Sequence, residues 1–219
     1  MSTTLTTAPL ATLLDQLFHQ ANGVATTSLD TISEADQQRM MTSKTEYREL
    51  YGHLKDLWLP VSPETGKLLY MLARSIDAKN IIEFGTSFGI SALHLAAALQ
   101  DNGGGLLITT EFEAGKAAKA REHLEAAGLS SLVEIREGDA LLTLATNLPD
   151  TIDLVLLDGA KALYGDILAL LKTRLRVGAL IIADNADYAP DYLEYVRNPQ
   201  NGYLSVPVSE DVELTCCIH

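Results

Sequence analysis

From residue 79 to residue 183 the chain alternates short apolar runs with longer segments of helical periodicity, and no other feature constrains its fold as strongly. Asn80–Phe84, Leu106–Thr110, Leu132–Arg136, Ile152–Leu157 and Ala179–Ala183 read as strands. Between them, helices are expected over Ser91–Gln100, over Ala114–Ala127 (closed by Gly128), briefly after Gly138, and over Ala162–Arg174. Strands that alternate with helices need right-handed crossovers, which give a mostly parallel sheet covered on both faces. Past Asn185 the pattern changes. Pro190–Arg197 is helical in character, and Tyr203–Val208 and Val212–Ile218 read as strands joined by Ser209–Asp211. Strands so closely connected pair antiparallel. The expectation is an α/β fold: a doubly wound, mostly parallel seven-stranded sheet, Rossmann-like, closed by an antiparallel C-terminal hairpin.

Residues 1–60 lack any strand pattern. Helices are expected over Leu10–Gln20 and Glu34–Leu57, with a small-residue linker around Ala21–Asp30 between them. The chain thus divides into a helical segment, 1–60, serving as cap, lid or dimer surface, and a main domain, 61–219. A chain of this size buries a full core without disulfides. Cys216 and Cys217 are adjacent and fit neither a disulfide framework nor a zinc spacing. Acidic residues outnumber basic ones by 29 to 16, a net charge of −13, which repels phosphate backbones and disfavours nucleic acid as a partner. Met1–Pro9 is threonine-rich and lacks the basic start and apolar run of a signal peptide, and no stretch has the apolar length of a membrane span. A cytoplasmic protein is expected.

Ligands of open α/β sheets bind at the carboxyl ends of strands, near the point where strand order reverses. After the first strand comes Glu83-Phe-Gly-Thr-Ser-Phe-Gly89, then Ser91. Its glycines permit a sharp turn and close approach of a ligand. The spacing is G-x-x-x-G, not the G-x-G-x-x-G that seats a pyrophosphate on a helix N-terminus. The preceding carboxylate also repels a pyrophosphate and suits a cationic amino-acid end and a sulfonium, which favours S-adenosylmethionine over nicotinamide cofactors. Taken alone, the loop is equally a plain strand-to-helix turn. Glu111 ends the second strand, where an acid can bind both ribose hydroxyls; Glu113 is its neighbouring competitor. In Glu137-Gly-Asp-Ala140, Asp139 and Ala140 border an adenine slot, although a helix cap accounts for Asp139 as well.

The fourth strand ends in Asp158-Gly-Ala-Lys161 and the fifth in Asp184-Asn185. Two carboxylates and a carboxamide are hard oxygen donors suited to Mg²⁺, which keeps several waters and leaves room for substrate oxygens. No histidine or cysteine cluster competes for zinc. The five histidines all fall away from strand ends, in helical surface or core positions. Trp58 and Tyr51 precede Val61 and can wall an aromatic substrate or pack between protomers.

Glu83-Phe-Gly-Thr-Ser-Phe-Gly-Ile-Ser91, Leu157-Asp-Gly-Ala-Lys-Ala-Leu-Tyr164 and Ala183-Asp-Asn185 together resemble the cation-dependent O-methyltransferases, the caffeoyl-CoA and catechol O-methyltransferase group. The likeness runs from about Pro60 to the C-terminus, and Ala189–Arg197 resembles the catechol enzymes in particular. It implies that Asp158, Asp184 and Asn185 hold Mg²⁺ or another divalent cation, that Lys161 is the base, and that Glu83, Gly85, Ser91, Glu111, Ala140 and Asp158 surround the cofactor with Val61 lying over it. It also implies a small aromatic substrate and a homodimer. Two departures stand out. Ala160 replaces an acid found in plant-type members, and Ser205 aligns with the glutamate that holds a catechol's second hydroxyl. Three other functions fit the chain less well. Methylation of a tRNA hydroxyuridine conflicts with the charge, a cofactor-binding scaffold has no need of Asp158, Lys161, Asp184 and Asn185 together, and an NAD(P) oxidoreductase lacks its glycine loop.

Overall fold

The computed structural model describes residues 3–23 and 33–219. Among the described residues four α-helices precede the sheet: α1 (Leu10–Gly23), α2 (Glu34–Thr42), α3 (Tyr47–His53) and α4 (Pro63–Ser75). Most of the expected linker around Ala21–Asp30 lies outside the described residues. The single helix expected over Glu34–Leu57 is instead α2 and α3. Ser43 between them is extended, and its hydroxyl accepts from the main-chain N–H of Thr45 and Glu46, a local bond that competes with helix continuation. Helix α4 is absent from the sequence reading, although its start signal is present: Pro63 occupies the first turn and the Ser62 hydroxyl accepts from Thr65 N at 3.0 Å.

The main domain then runs β1 (Asn80–Phe84), α5 (Ile90–Asp101), β2 (Leu106–Glu111), α6 (Ala114–Ala126), β3 (Val133–Glu137), α7 (Ala140–Thr143), β4 (Ile152–Leu157), α8 (Tyr164–Leu171), β5 (Leu175–Ala183), α9 (Pro190–Arg197), β6 (Tyr203–Pro207) and β7 (Glu213–Cys217). The sheet order is β3-β2-β1-β4-β5-β7-β6. Strands β1 to β5 are parallel, and β7 is antiparallel to both of its neighbours. Strand β5 begins at Leu175, before the expected Ala179, with a register irregularity against β4.

Two apolar layers enclose the sheet. On one side Leu10, Leu17, Leu69, Leu93 and Leu99 pack around Ile81, Leu107 and Leu154. On the other, Tyr164, Leu168, Leu171, Tyr192 and Val196 cover Ile82, Val155 and Ile181. Helix α5 is buried from Ile90 to Leu99, because it lies between the sheet and the helices α1 and α4. Such a position demands a helix apolar on every side, and each fully buried leucine contributes about 2 kcal/mol. The chain leaves β1 towards β2 and β3, then returns to β4 on the other flank. The reversal between β1 and β4 opens a crevice at their carboxyl ends.

Candidate functional site

The crevice is built on close backbone approach. Gly85 has φ 103°, and a Cβ there would lie 2.5 Å from the Asp158 carbonyl oxygen. Asp158 N donates to Phe84 O at 2.8 Å, so the ends of β1 and β4 are joined at this point. Ser87 N, in the same loop, donates to Glu111 Oε2 at 2.7 Å, and Glu113 N donates to Oε1 at 2.8 Å. Glu111 is thereby fixed at the edge of the cleft with lone pairs to spare. Glu113 serves it through a main-chain amide.

Glu83 is fully buried. One oxygen accepts from the Thr109 hydroxyl, and the other, Oε1, lies on the side of Ser91 without a hydrogen bond of good geometry among the described residues. Burial pushes its pKa up to about 7, opposed by the hydroxyls of Ser91 and Thr109 and reinforced by the charges of Asp158 and Glu111. A buried carboxylate with an idle oxygen is an open position for a cationic group. Val61, Gly85, Ser91 and Asp158 line the narrow end of the crevice beside it. Asp139 and Ala140 line the broad end with Gly85, Glu111 and Asp158. Every residue that the sequence assigns to the cofactor thus lies in this crevice or directly behind it.

The helix-cap reading of Asp139 has a direct counterpart. Its Oδ1 caps α7 by accepting from Leu141 N at 3.0 Å, while Oδ2 faces the cleft and takes a hydrogen bond from the Arg48 guanidinium. Arg48 also lies over the rings of Tyr47 and Phe112, and the Tyr51 hydroxyl donates to Gly159 O at 3.1 Å. Helix α3 therefore covers the broad end of the crevice. Tyr47, Arg48, Phe112 and Lys116 are lining residues that the sequence reading missed. An amphipathic spacing of Tyr47 and Tyr51 is visible in the chain, but nothing local links Arg48 to an aspartate 91 positions away. Trp58 stacks on Phe88 of the glycine loop, ring centres 4.2 Å apart.

The second constellation sits where β4 and β5 end together, Leu157 paired with Ala183. Parallel pairing brings Asp158 and Asp184 side by side, within hydrogen-bond reach of each other. Burial raises the pKa of Asp158, against the pull of Lys161. Burial and then the charge of Asp158 raise Asp184 to about 7, with Lys161 opposing and Asp211 adding to the rise. Lys161 Nζ, itself buried, donates to Asp158 Oδ1 at 3.2 Å and to the Tyr164 hydroxyl at 2.9 Å. Tyr164 in turn donates to Asp184 O at 2.7 Å, locking the lysine between the two strand ends. The sequence reading quoted Tyr164 only as part of a motif. Asn185 adjoins Asp184 in a left-handed conformation, and its Nδ2 donates to Asp211 Oδ2 at 3.3 Å.

Among the described residues, no group of three or more His, Cys, Asp or Glu side chains is set to hold a metal ion. The donors here are two aspartates and an asparagine. They fit a divalent cation on a different ground: two carboxylates forced together in a buried place, with Lys161 bonded to one of them, are relieved by added positive charge. Ser205 is engaged elsewhere, donating to Glu213 Oε1, whose carboxylate also binds Arg197 through two hydrogen bonds. His94 and His123 bond the main-chain oxygens of Ile90 and Phe88 and stand apart from both constellations.

A seven-stranded sheet in this order, with its reversed last strand and a glycine loop at the switch point, is the Rossmann-like methyltransferase fold. Residues 32–204 match the O-methyltransferase family model, and the chain belongs to that family. A catechol O-methyltransferase of Niastella koreensis is 39% identical over 130 residues, covering 58% of each chain. Catechol O-methyltransferase B of Danio rerio is 33% identical over 163 residues, 71% of this chain and 61% of that one. The chain thus spans less than two thirds of the length of these relatives. The O-methyltransferase TomG of Streptomyces achromogenes, involved in tomaymycin synthesis and solved in complex with SAM, has a TM-score of 0.66 at 26% identity, covering 86% of this chain and 92% of that one. Cofactor-bound Rv0187 from MTB shares the fold, with a TM-score of 0.66 at 24% identity over 93% of this chain and 95% of its own.

Proposed function

We propose that the protein transfers a methyl group from S-adenosylmethionine to one hydroxyl of a small aromatic vicinal diol, of catechol or caffeoyl type, with the help of Mg²⁺ or another divalent cation. The observation that carries this reading is the adjacency of the two constellations. Asp158 belongs to both, lining the crevice while bonding Lys161.

S-adenosylmethionine, when bound, supplies a methyl group on a sulfonium centre that an oxygen can displace in line. The residues facing it divide the work. Glu83 and Ser91 receive the amino-acid end under Val61, Glu111 accepts from the ribose hydroxyls, and Asp139 and Ala140 border the base. A divalent cation held by Asp158, Asp184 and Asn185 would lower the pKa of a bound hydroxyl, ordinarily near 10 for a phenol, and fix its direction. Lys161 takes the hydroxyl proton at Nζ, held in place by Asp158 and Tyr164. Helix α3 acts as a lid that keeps water from the crevice, a role supported by the bonds of Arg48 and Tyr51 across its mouth. Tyrosine and tryptophan side chains of the N-terminal segment also favour an aromatic acceptor. The family resemblance supports a homodimer. Among the described residues no helix is long and apolar enough to cross a membrane.

The test is a screen of catechols, caffeoyl esters and flavonoids for methyl transfer from S-adenosylmethionine, with and without Mg²⁺. Transfer to a vicinal diol that stops on chelation is expected. Transfer that continues unchanged in excess EDTA removes the cation from the mechanism, and failure with every diol removes the substrate class.

A further inference from the structure

Asn185 follows β5 at φ 48° and ψ 44°, a conformation asparagine tolerates better than most residues. A carboxamide has two unlike ends, and only its oxygen can face a cation. The turn between β6 and β7 determines which end goes where. Asp211 Oδ2 accepts from Asn185 Nδ2 at 3.3 Å. A carboxylate only accepts, so the NH₂ group is drawn to Asp211 and Oδ1 is left free for the opposite side.

Asp211 is itself held in two ways. The Ser209 hydroxyl donates to its Oδ1 at 2.9 Å, and that hydroxyl accepts from Val212 N at 3.1 Å. The main-chain carbonyl of Asp211 accepts from Ala186 N at 2.8 Å, which ties the turn to the residue after Asn185. The negative charge of Asp211 is also felt at Asp184. The β6–β7 turn thus grips the segment after β5 by main chain and side chain together.

We propose that Asp211 is a positioning residue for the cation-binding set, turning the Asn185 carboxamide so that Oδ1 joins the oxygens of Asp158 and Asp184. The proposal rests on the divalent-cation reading of this site. Without Asp211 the amide is free to flip, and its NH₂ end then opposes a cation in place of binding it. Partners of this kind, which orient a metal ligand from behind, typically change affinity by about 10–100-fold when lost.

The experiment measures Mn²⁺ affinity by calorimetry on the full chain, in the absence of any substrate, for wild type, Asp211→Ala and Asp211→Asn. Melting temperatures of the metal-free proteins are recorded alongside. Asp211→Ala is expected to weaken Mn²⁺ binding by about tenfold or more without lowering the melting temperature, because the exposed side chain leaves while the carbonyl bond to Ala186 stays. Asp211→Asn is expected to rescue the affinity, since its amide oxygen still accepts from Asn185. Wild-type affinity in Asp211→Ala, or an Asp211→Asn variant as weak as Asp211→Ala, overturns the orienting role. Absence of Mn²⁺ binding by the wild type overturns the cation reading itself, and the proposal with it. If Asp211→Ala fails to fold, Ser209→Ala takes its place: it releases one oxygen of Asp211 and is expected to weaken Mn²⁺ binding several-fold, and unchanged affinity overturns the proposal.

Discussion

Gly85→Ala is the change whose cost can be worked most directly from the geometry. At φ 103° an L side chain is strained, at about 1–3 kcal/mol. The added Cβ also lies 2.5 Å from the carbonyl oxygen of Asp158, 2.7 Å from its carbonyl carbon and 2.9 Å from Gly159 N. All three are main-chain atoms at the end of a buried strand, so no side-chain rotation relieves the overlap, and overpacking adds about 1–3 kcal/mol. The sum is about 4 kcal/mol, a large part of the stability of an ordinary domain. With roughly 2–4 °C per kcal/mol for a chain of this size, the melting temperature should fall by about 8–16 °C. The clash also pushes β1 from β4 at the point where Asp158 N bonds Phe84 O, so affinity for S-adenosylhomocysteine should fall with it. Gly115→Ala is the control. Nothing lies within 4 Å of its Cβ, and in a helix alanine is favoured over glycine by up to about 1 kcal/mol. Thermal unfolding by circular dichroism and calorimetric titration read both effects. A Gly85→Ala protein that melts within about 3 °C of wild type and binds the ligand equally well refutes the close-approach argument.

Lys161→Met keeps the aliphatic stem but removes the proton acceptor, and should lower turnover by about 10²–10⁴-fold while S-adenosylhomocysteine binding persists; near-normal turnover ends the assignment of Lys161 as base. Glu83 has a folded-state pKa of about 7 against an ordinary 4.5. The folded protein therefore keeps a proton that the unfolded chain gives up, and the associated stability, present below pH 4.5, is lost as pH rises through 7. Glu83→Gln should flatten that decline in pH-dependent melting of the unliganded protein, and an unchanged slope contradicts the shift. Arg48 bonds the same Asp139 carboxylate that is read as accepting from the cofactor's base. Because the Arg48 side chain is half-exposed, Arg48→Ala should cost no more than about 1 kcal/mol in stability yet tighten S-adenosylhomocysteine binding, and weaker binding would mark Arg48 as a clamp.

Much of the fold was legible because its signals are local. Ile152–Leu157 is a buried strand over the expected residues, α9 spans Pro190–Arg197 as expected, and the closing strands pair antiparallel as their short connection requires. The N-terminal segment was harder. Ser43 divides the expected helix by accepting from the main-chain N–H groups of Thr45 and Glu46, a choice that weak propensities do not announce. Helix α4 carries a serine–proline start, a weak signal beside the stronger pattern that begins at residue 79.

The candidate site divides along the same line. The residue types at strand ends, Glu83, Glu111, Asp158, Lys161, Asp184 and Asn185, are set by the chain, because parallel strands joined by crossovers deliver their carboxyl ends to one edge whatever the loops do. Which of them touch, and in what electrical state, is decided only in three dimensions. The pairing of β4 with β5 presses Asp158 against Asp184 and raises both carboxyls, Tyr164 reaches back to the end of β5, Arg48 crosses to Asp139, and Asp211 grips Asn185. Desolvation and charge proximity depend on distances between segments far apart in sequence, and those distances exist only after the sheet has closed.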